Sequence, residues 1–218
     1  MSLLDRISIP KYSLGEEITN AILHGIGGLL SIAALVLCVV FSAIHGNAYA
    51  VVSSCIYGST LIILYTMSCL YHSLKINKAK KVFRIIDHCS IFLLIAGTYT
   101  PYTLVSLNGV VGWVMFSVIW SSAILGIVLN AIDLNKYKKI SMVLYIAMGW
   151  AVIFSFKPLV EALEIGGIYL LLAGGIIYTI GAIFYGIGKK YKYMHSIFHF
   201  FVLAGSILHF FSILLYVI

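Results

Sequence analysis

The chain has 218 residues, of which 62% are apolar and only 10% charged, and its mean hydropathy is +1.08. That balance excludes an ordinary soluble domain and points to an integral membrane protein. The formal net charge of +7 would suggest nucleic acid in a soluble protein, but here the basic residues gather in short breaks where they orient a membrane chain, so no nucleic-acid partner is expected.

A spanning helix needs about 20 apolar residues, and seven such spans are predicted in order: Ile18 to Ile44, Ala48 to Leu74, Val82 to Leu107, Gly109 to Ile132, Ile140 to Phe156, Gly166 to Gly188 and Met194 to Ile218. The expected fold class is therefore all-α, a seven-transmembrane helix bundle forming one integral membrane domain over residues 1–218. The opening MSLLDRISIPKYSLGEE shows no apolar core followed by a small-residue cleavage site, so the first span is expected to act as its own signal. His45-Gly46-Asn47, Asn108-Gly109, Lys157-Pro158 and Gly166-Gly167 are turn or helix-end chemistry, and Pro101 should kink the third span.

Sorting the basic residues by loop predicts the orientation. Arg6 and Lys11 precede the first span, Lys75, Lys78, Lys80, Lys81 and Arg84 separate the second and third, Lys136, Lys138 and Lys139 follow the fourth, and Lys189, Lys190 and Lys192 precede the seventh. Only Lys157 falls in a loop of the other set. This asymmetry predicts a cytoplasmic amino terminus, an outside carboxyl terminus and a multi-pass protein of the cell membrane.

With that orientation the intramembrane polar residues share one depth. Glu17, Asn20 and His24 begin the first span, His72 ends the second, Asp87 and His88 begin the third, and His195 and His199 begin the seventh. All fall in the cytoplasmic half, and an ionisable residue inside a span is a candidate functional residue.

His195 and His199 stand one helical turn apart, about 5.4 Å, so both imidazoles can reach one point. The alternative is a pair of interfacial histidines bonded to neighbouring carbonyls. Ser68 and His72 have the same spacing at the end of the second span. His72, His195 and His199 together would supply three neutral nitrogen ligands, and three protein ligands plus a water is the open arrangement of catalytic zinc. Asp87 would then order or deprotonate that water; its alternative role is an ion pair with Arg84 or Lys81. Ser68 would support the site or stabilise an oxyanion, unless it bonds its own helix backbone.

Glu17, Asn20 and His24 lie at one-turn spacing on the first helix and are expected to form a polar strut beneath the site, through interhelical hydrogen bonds rather than metal ligation. His88 points about 100° away from Asp87 and reads as a helix-end or packing residue. His209 is too deep in the seventh span to share the metal, and His45 sits in an outside turn. The four cysteines, Cys38, Cys55, Cys69 and Cys89, lie in apolar stretches without paired spacing, so neither a disulfide nor a thiolate site is expected. Ala182-xxx-Gly186 and Gly174-Gly175 allow close helix approach and leave the oligomeric state open.

The chain resembles the hemolysin III branch of the progestin and adipoQ receptor (PAQR) family, which also includes the adiponectin receptors. The resemblance is carried by Glu17-xx-Asn20-xxx-His24, by Ser68-xxx-His72 with Ile86-Asp87-His88 and FLLIAGTYTPY, and by His195-xxx-His199 with His209-Phe210. It spans essentially the whole chain. It implies seven helices and a zinc ion held by His72, His195 and His199 near the cytoplasmic side, with Asp87 reaching the metal through water and Ser68 beside it. The further similarity of this family to alkaline ceramidases implies hydrolysis of a lipid amide, whereas the hemolysin name implies pore formation. The eukaryotic receptors carry a longer amino-terminal region than the 17 or so residues here, so adiponectin binding is not carried over.

Three readings follow from these residues. The first is a zinc-dependent hydrolase acting on a lipid amide or ester that arrives from the cytoplasmic leaflet and alters membrane lipid composition. The second is a cytolytic pore built from oligomers, for which the spans offer no polar stripe wide enough to line a channel. The third is a sensor or receptor in which zinc is structural. A retinal-type pump is excluded, because the seventh span has no lysine for a Schiff base.

Overall fold

In the computed structural model, Leu4 and residues 7–188 and 191–218 are described. Arg6, Lys189 and Lys190, which contribute to the orientation reading, lie outside the described residues. Helices begin where the sequence supplies a cap. Ser13 accepts from the Glu16 amide while the Glu16 carboxylate takes the Ser13 N–H, a reciprocal box that starts α1 (Leu14–His45). Asn47 and Asn77 cap α2 (Ala48–Ser73) and α3 (Lys78–Pro101) through their side-chain oxygens. The chain continues through α4 (Gly109–Gly149), a 3-10 turn (Ala151–Ser155), α5 (Phe156–Ala162), α6 (Ile165–Ile187) and α7 (Met194–Tyr216).

The fold is all-helical among the described residues, and six helical segments are long and apolar enough to cross a membrane. This is a multi-pass membrane protein. The sequence predicts a loop between separate fourth and fifth spans, but helix runs nearly unbroken there. Asp133 alone leaves helical geometry (φ −160°, ψ 93°), and its carboxylate accepts from the Lys136 amide at 3.0 Å, restarting the helix at once. The chain nevertheless folds back. Ser141 Oγ and Asn130 Oδ1 are hydrogen-bonded across a sequence separation of 11, whereas that separation in an unbroken helix is about 16 Å. The arm before Asp133 runs antiparallel to α3, with Gly126 on the Phe92 ring and Trp120 Nε1 donating to Thr100. The arm after it runs parallel, with Tyr145 bonded to the His88 carbonyl and Tyr99 to that of Gly149.

Pro101 ends α3 as an α-helix, and a π-helical turn, Tyr102–Leu107, follows it. A proline has no N–H to give to the preceding turn; beyond it the Tyr99 carbonyl accepts from both the Tyr102 amide and the Thr103 hydroxyl. The left-handed backbone of Asn108 and Gly109 (φ 32° and 51°) then closes the segment.

Burial explains how these helices pack. The inward face of α1 is Glu16, Asn20, His24, Gly27, Ser31, Ala34, Cys38 and Ser42, all polar or small, whereas Ile18, Ile22, Ile26, Leu29 and Val36 face outward. A soluble helix would show the opposite. In a bilayer the apolar side chains are solvated by lipid, and small or hydrogen-bonding residues make the helix contacts. Gly27 receives the Tyr65 ring, Gly58 receives Leu35, and Ser42 bonds Ser54. α1 lies between α2 and α7, α2 adjoins α3, α3 adjoins α4, and α6 packs on α7. The four cysteines are free, as their spacing predicts.

Candidate metal centre

The starts of α1, α3 and α7 and the end of α2 converge at one end of the bundle, bringing the predicted histidines together. His195 and His199 place their Nε2 atoms 3.0 Å apart. The His72 ring from α2 lies 5.4 Å from His195 and 5.0 Å from His199, centroid to centroid. One ligand atom from each of the three lies within 4.8 Å of the others, and all three residues are buried. This group could hold a metal ion.

His72 shows how a ligand is prepared. Its Nδ1 meets Glu17 Oε2 at 2.7 Å. A carboxylate there accepts a hydrogen bond from Nδ1–H and leaves the Nε2 lone pair free, an arrangement typical of metal-bound imidazoles. His72 Nε2 is buried and has no hydrogen-bond partner. Glu17 is itself fixed, because Lys80 Nζ reaches its Oε1 at 2.6 Å and the Leu74 carbonyl at 2.9 Å. An orphaned imidazole nitrogen facing two further imidazoles fits a cation better than any protein donor available.

The predicted supporting residues surround this core. Asn20 is fully buried with its amide nitrogen 3.4 Å from His72 Nδ1. His24 stands edge-on to His199, with ring centroids 3.8 Å apart, and bonds its Nδ1, so it meets its neighbour through an interhelical contact. Asp87 is buried and lines the same cavity as His24, His195 and His199. The alternative ion pair for Asp87 is not formed. Arg84 donates to the Ser8 carbonyl and Asn135, Lys81 donates to the Leu4 carbonyl, and Asp87 instead meets the His88 Nδ1 at 3.5 Å. Ser68 is fully buried, and its hydroxyl lies beside the Asp87 carboxylate. Ser31 and Ser73 each bond the carbonyl one turn back, so Ser68 departs from the usual habit of a membrane serine.

Two residues here were not legible in advance. Tyr12 stacks on His195 with centroids 4.9 Å apart and planes at 14°, and it also approaches His72 at 5.9 Å. Burial pushes its phenol up, so it covers the histidines as a neutral ring. It precedes the first cap in a stretch without periodicity, and nothing in the sequence points it at the site. Lys80 was counted among solvated loop charges, yet it is 1% exposed and clamps Glu17. Its spacing from Asn77, which caps its amide, is the signal that it opens a helix rather than belonging to a loop.

Two spaces meet at His195. An apolar cavity of about 190 Å³ runs from His195, His199 and Asp87 between α3, α4, α6 and α7 to Leu159 and His209. A polar chamber of about 760 Å³ lies on the other side and includes Tyr12, Glu16 and Arg84. His88, Tyr185 and His195 border both. His209 stands at the far end of the apolar space with Nε2 on the Leu171 carbonyl at 3.1 Å, apart from the other histidines as expected.

Helices of this hydropathy enclosing a buried histidine group define a multi-pass membrane protein with a metal-competent site. A family model described as "Haemolysin-III related" matches residues 12–210. The chain is 47% identical over 203 residues to Hemolysin-3 of Bacillus cereus, covering 93% of this chain and 92% of that one. It is 45% identical over 205 residues to the Hemolysin-3 homolog of Bacillus subtilis (strain 168), covering 94% and 96%. It is also 24% identical over 208 residues to the human Monocyte to macrophage differentiation factor, covering 91% and 83%. The chain belongs to the haemolysin-III-related family, in agreement with the resemblance seen in its motifs.

Proposed function

We propose that this protein is a zinc-dependent membrane hydrolase that cleaves an amide or ester bond of a lipid, in the manner of a ceramidase, and thereby alters membrane lipid composition. The observation that carries this reading is the set of three buried imidazoles, one held by Glu17 with its Nε2 unpaired, two of which line an apolar cavity. When bound, zinc supplies a Lewis acid and lowers the pKa of its water to about 7. His72, His195 and His199 hold the ion, Glu17 and His24 fix two of the rings, and Tyr12 covers the group. Asp87 accepts the proton released from the attacking water and returns it to the leaving group. The buried Ser68 hydroxyl, beside Asp87, supports the reacting group or donates to the oxygen on which charge develops. The acyl chain occupies the apolar cavity.

Seven crossings are part of the same reading. The reversal at Asp133 divides α4 into two arms, each crossing the membrane, and adds one passage to the six long segments. The basic-residue asymmetry sets the amino terminus in the cytoplasm, the histidines near the inner face of the cell membrane and the carboxyl terminus outside. The substrate then enters from the cytoplasmic leaflet.

The test is elemental analysis of the purified protein beside a His72→Ala variant, followed by lipid profiling of cells with and without the gene. We expect about one zinc per chain in the wild type, none in the variant, and one lipid class accumulating in the deletion strain. A wild type without metal, or a lipid profile indifferent to both changes, would sink the hydrolase. The names of the two bacterial relatives favour a second reading, cytolysis by an oligomeric pore. Conductance in planar bilayers that survives metal removal and His195→Ala would favour it.

A further inference from the structure

The polar chamber carries a charge that the hydrolase reading does not use. Lys11, Arg84, Lys138 and Lys192 line it against one described carboxylate, Glu16. Glu16 is already engaged, accepting from the Ser13 amide and hydroxyl and from the Tyr193 amide. The lysines resemble the loop charges found elsewhere in the chain and by themselves specify no ligand.

Arg84 is different. It is 3% exposed, and no carboxylate lies within ion-pair distance among the described residues. Its Nη1 donates to the neutral Ser8 carbonyl and Asn135 oxygen, and its Nε is buried with no hydrogen-bond partner. Asp87, one turn further along α3, is paired with His88 instead. A buried guanidinium with neutral acceptors and an idle N–H is expensive unless an anion completes it. Its planar fork of donors matches the oxygens of a phosphate.

The chamber and the apolar cavity share His88, Tyr185 and His195 as a common wall. A molecule filling both spaces must be charged at one end and hydrocarbon at the other. We propose that Arg84 and the chamber bind the phosphate of an anionic phospholipid whose acyl chain lies in the apolar cavity, which sets its acyl bond at the three histidines. This inference rests on the lipid-hydrolase reading and names the substrate class for it. Free phosphate would satisfy the chamber but leave the apolar cavity without a ligand.

The experiment uses the zinc-loaded protein in neutral detergent. Phosphatidylglycerol, diacylglycerol with the same chains, and inorganic phosphate are offered separately, and bound ligand is read by native mass spectrometry. Phosphatidylglycerol should be retained at least about tenfold more than either fragment, and the preference over diacylglycerol should weaken in high salt. Arg84→Gln should erase that preference while its zinc content, read by elemental analysis, stays at the wild-type level. Equal retention of diacylglycerol and phosphatidylglycerol overturns the phosphate site, and full displacement of phosphatidylglycerol by inorganic phosphate overturns the bridging lipid. Should Arg84→Gln fail to fold, the wild-type preference and its salt dependence decide alone. Zinc present without lipid preference defeats this inference only; a wild type that holds no zinc defeats the hydrolase reading beneath it.

Discussion

Three histidines lie along α7, all buried, in two kinds of neighbourhood. His209 gives one nitrogen to the Leu171 carbonyl and packs beside Tyr178, with no second ionisable group bonded to it. His195 and His199 instead oppose their Nε2 atoms at 3.0 Å, with His72 adding a third nitrogen that has no partner. A neutral imidazole is satisfied by one acceptor and one donor. The deep histidine meets one of these needs at a backbone carbonyl and leaves its Nδ1 alone, whereas the cluster brings three imidazoles close enough to share one ion. Burial is common to both; convergence is what would let one of them hold a metal ion.

The largest expected effect cuts this contrast directly. His199→Ala should take the purified protein from about one bound metal ion per chain to none, while His209→Ala leaves the content unchanged, both read by elemental analysis. Equal loss in both would show that the metal signal does not come from the cluster. Glu17→Gln removes the charge behind His72 but keeps an oxygen for its Nδ1. Metal affinity measured by competition with a chelator should fall about 10- to 100-fold, the range found for second-sphere partners, with the helical content retained. Among the described residues no carboxylate bonds His209, whose bonded neighbour is a backbone oxygen.

Tyr12 gives a smaller, kinetic test. Its ring lies flat on His195 from the amino-terminal segment, and His209 has no comparable cover from outside the bundle. Tyr12→Leu keeps bulk but loses the stack, so the metal should pass to a chelator a few-fold faster with little change in equilibrium affinity. An unchanged rate would mean that the ring does not screen the cluster from solvent.

Much of this neighbourhood was legible because membrane insertion makes polar residues expensive and hence informative. Glu17, Asn20, His24, His72, Asp87, His195 and His199 stood out from apolar runs at helical spacing, and the bundle brings them to one end. Tyr12 and Lys80 did not, because an aromatic before a helix cap and a lysine among lysines look the same whether they pack or are solvated. The joint at Asp133 was read as a loop for a related reason. Lys136, Lys138 and Lys139 suggested a solvated break, but one carboxylate capping the Lys136 amide is enough to restart a helix without a loop. Pro101 was expected to kink the third span; there the α-helix gives way to a π-helical turn, an outcome that depends on tertiary fit.

The smallest expected effect belongs to His209 itself. His209→Leu removes one hydrogen bond, worth about 0.5–1.5 kcal/mol, but the Leu171 carbonyl lies within α6, and the variant also removes a buried Nδ1 that has no partner. These terms oppose one another, so the thermal midpoint should move little and the metal content not at all. The same change at His199 would remove one of the three imidazoles that could hold an ion together. If His209→Leu instead lowered metal affinity, the two ends of the apolar cavity would be coupled, and the lone histidine would have to be counted with the cluster after all.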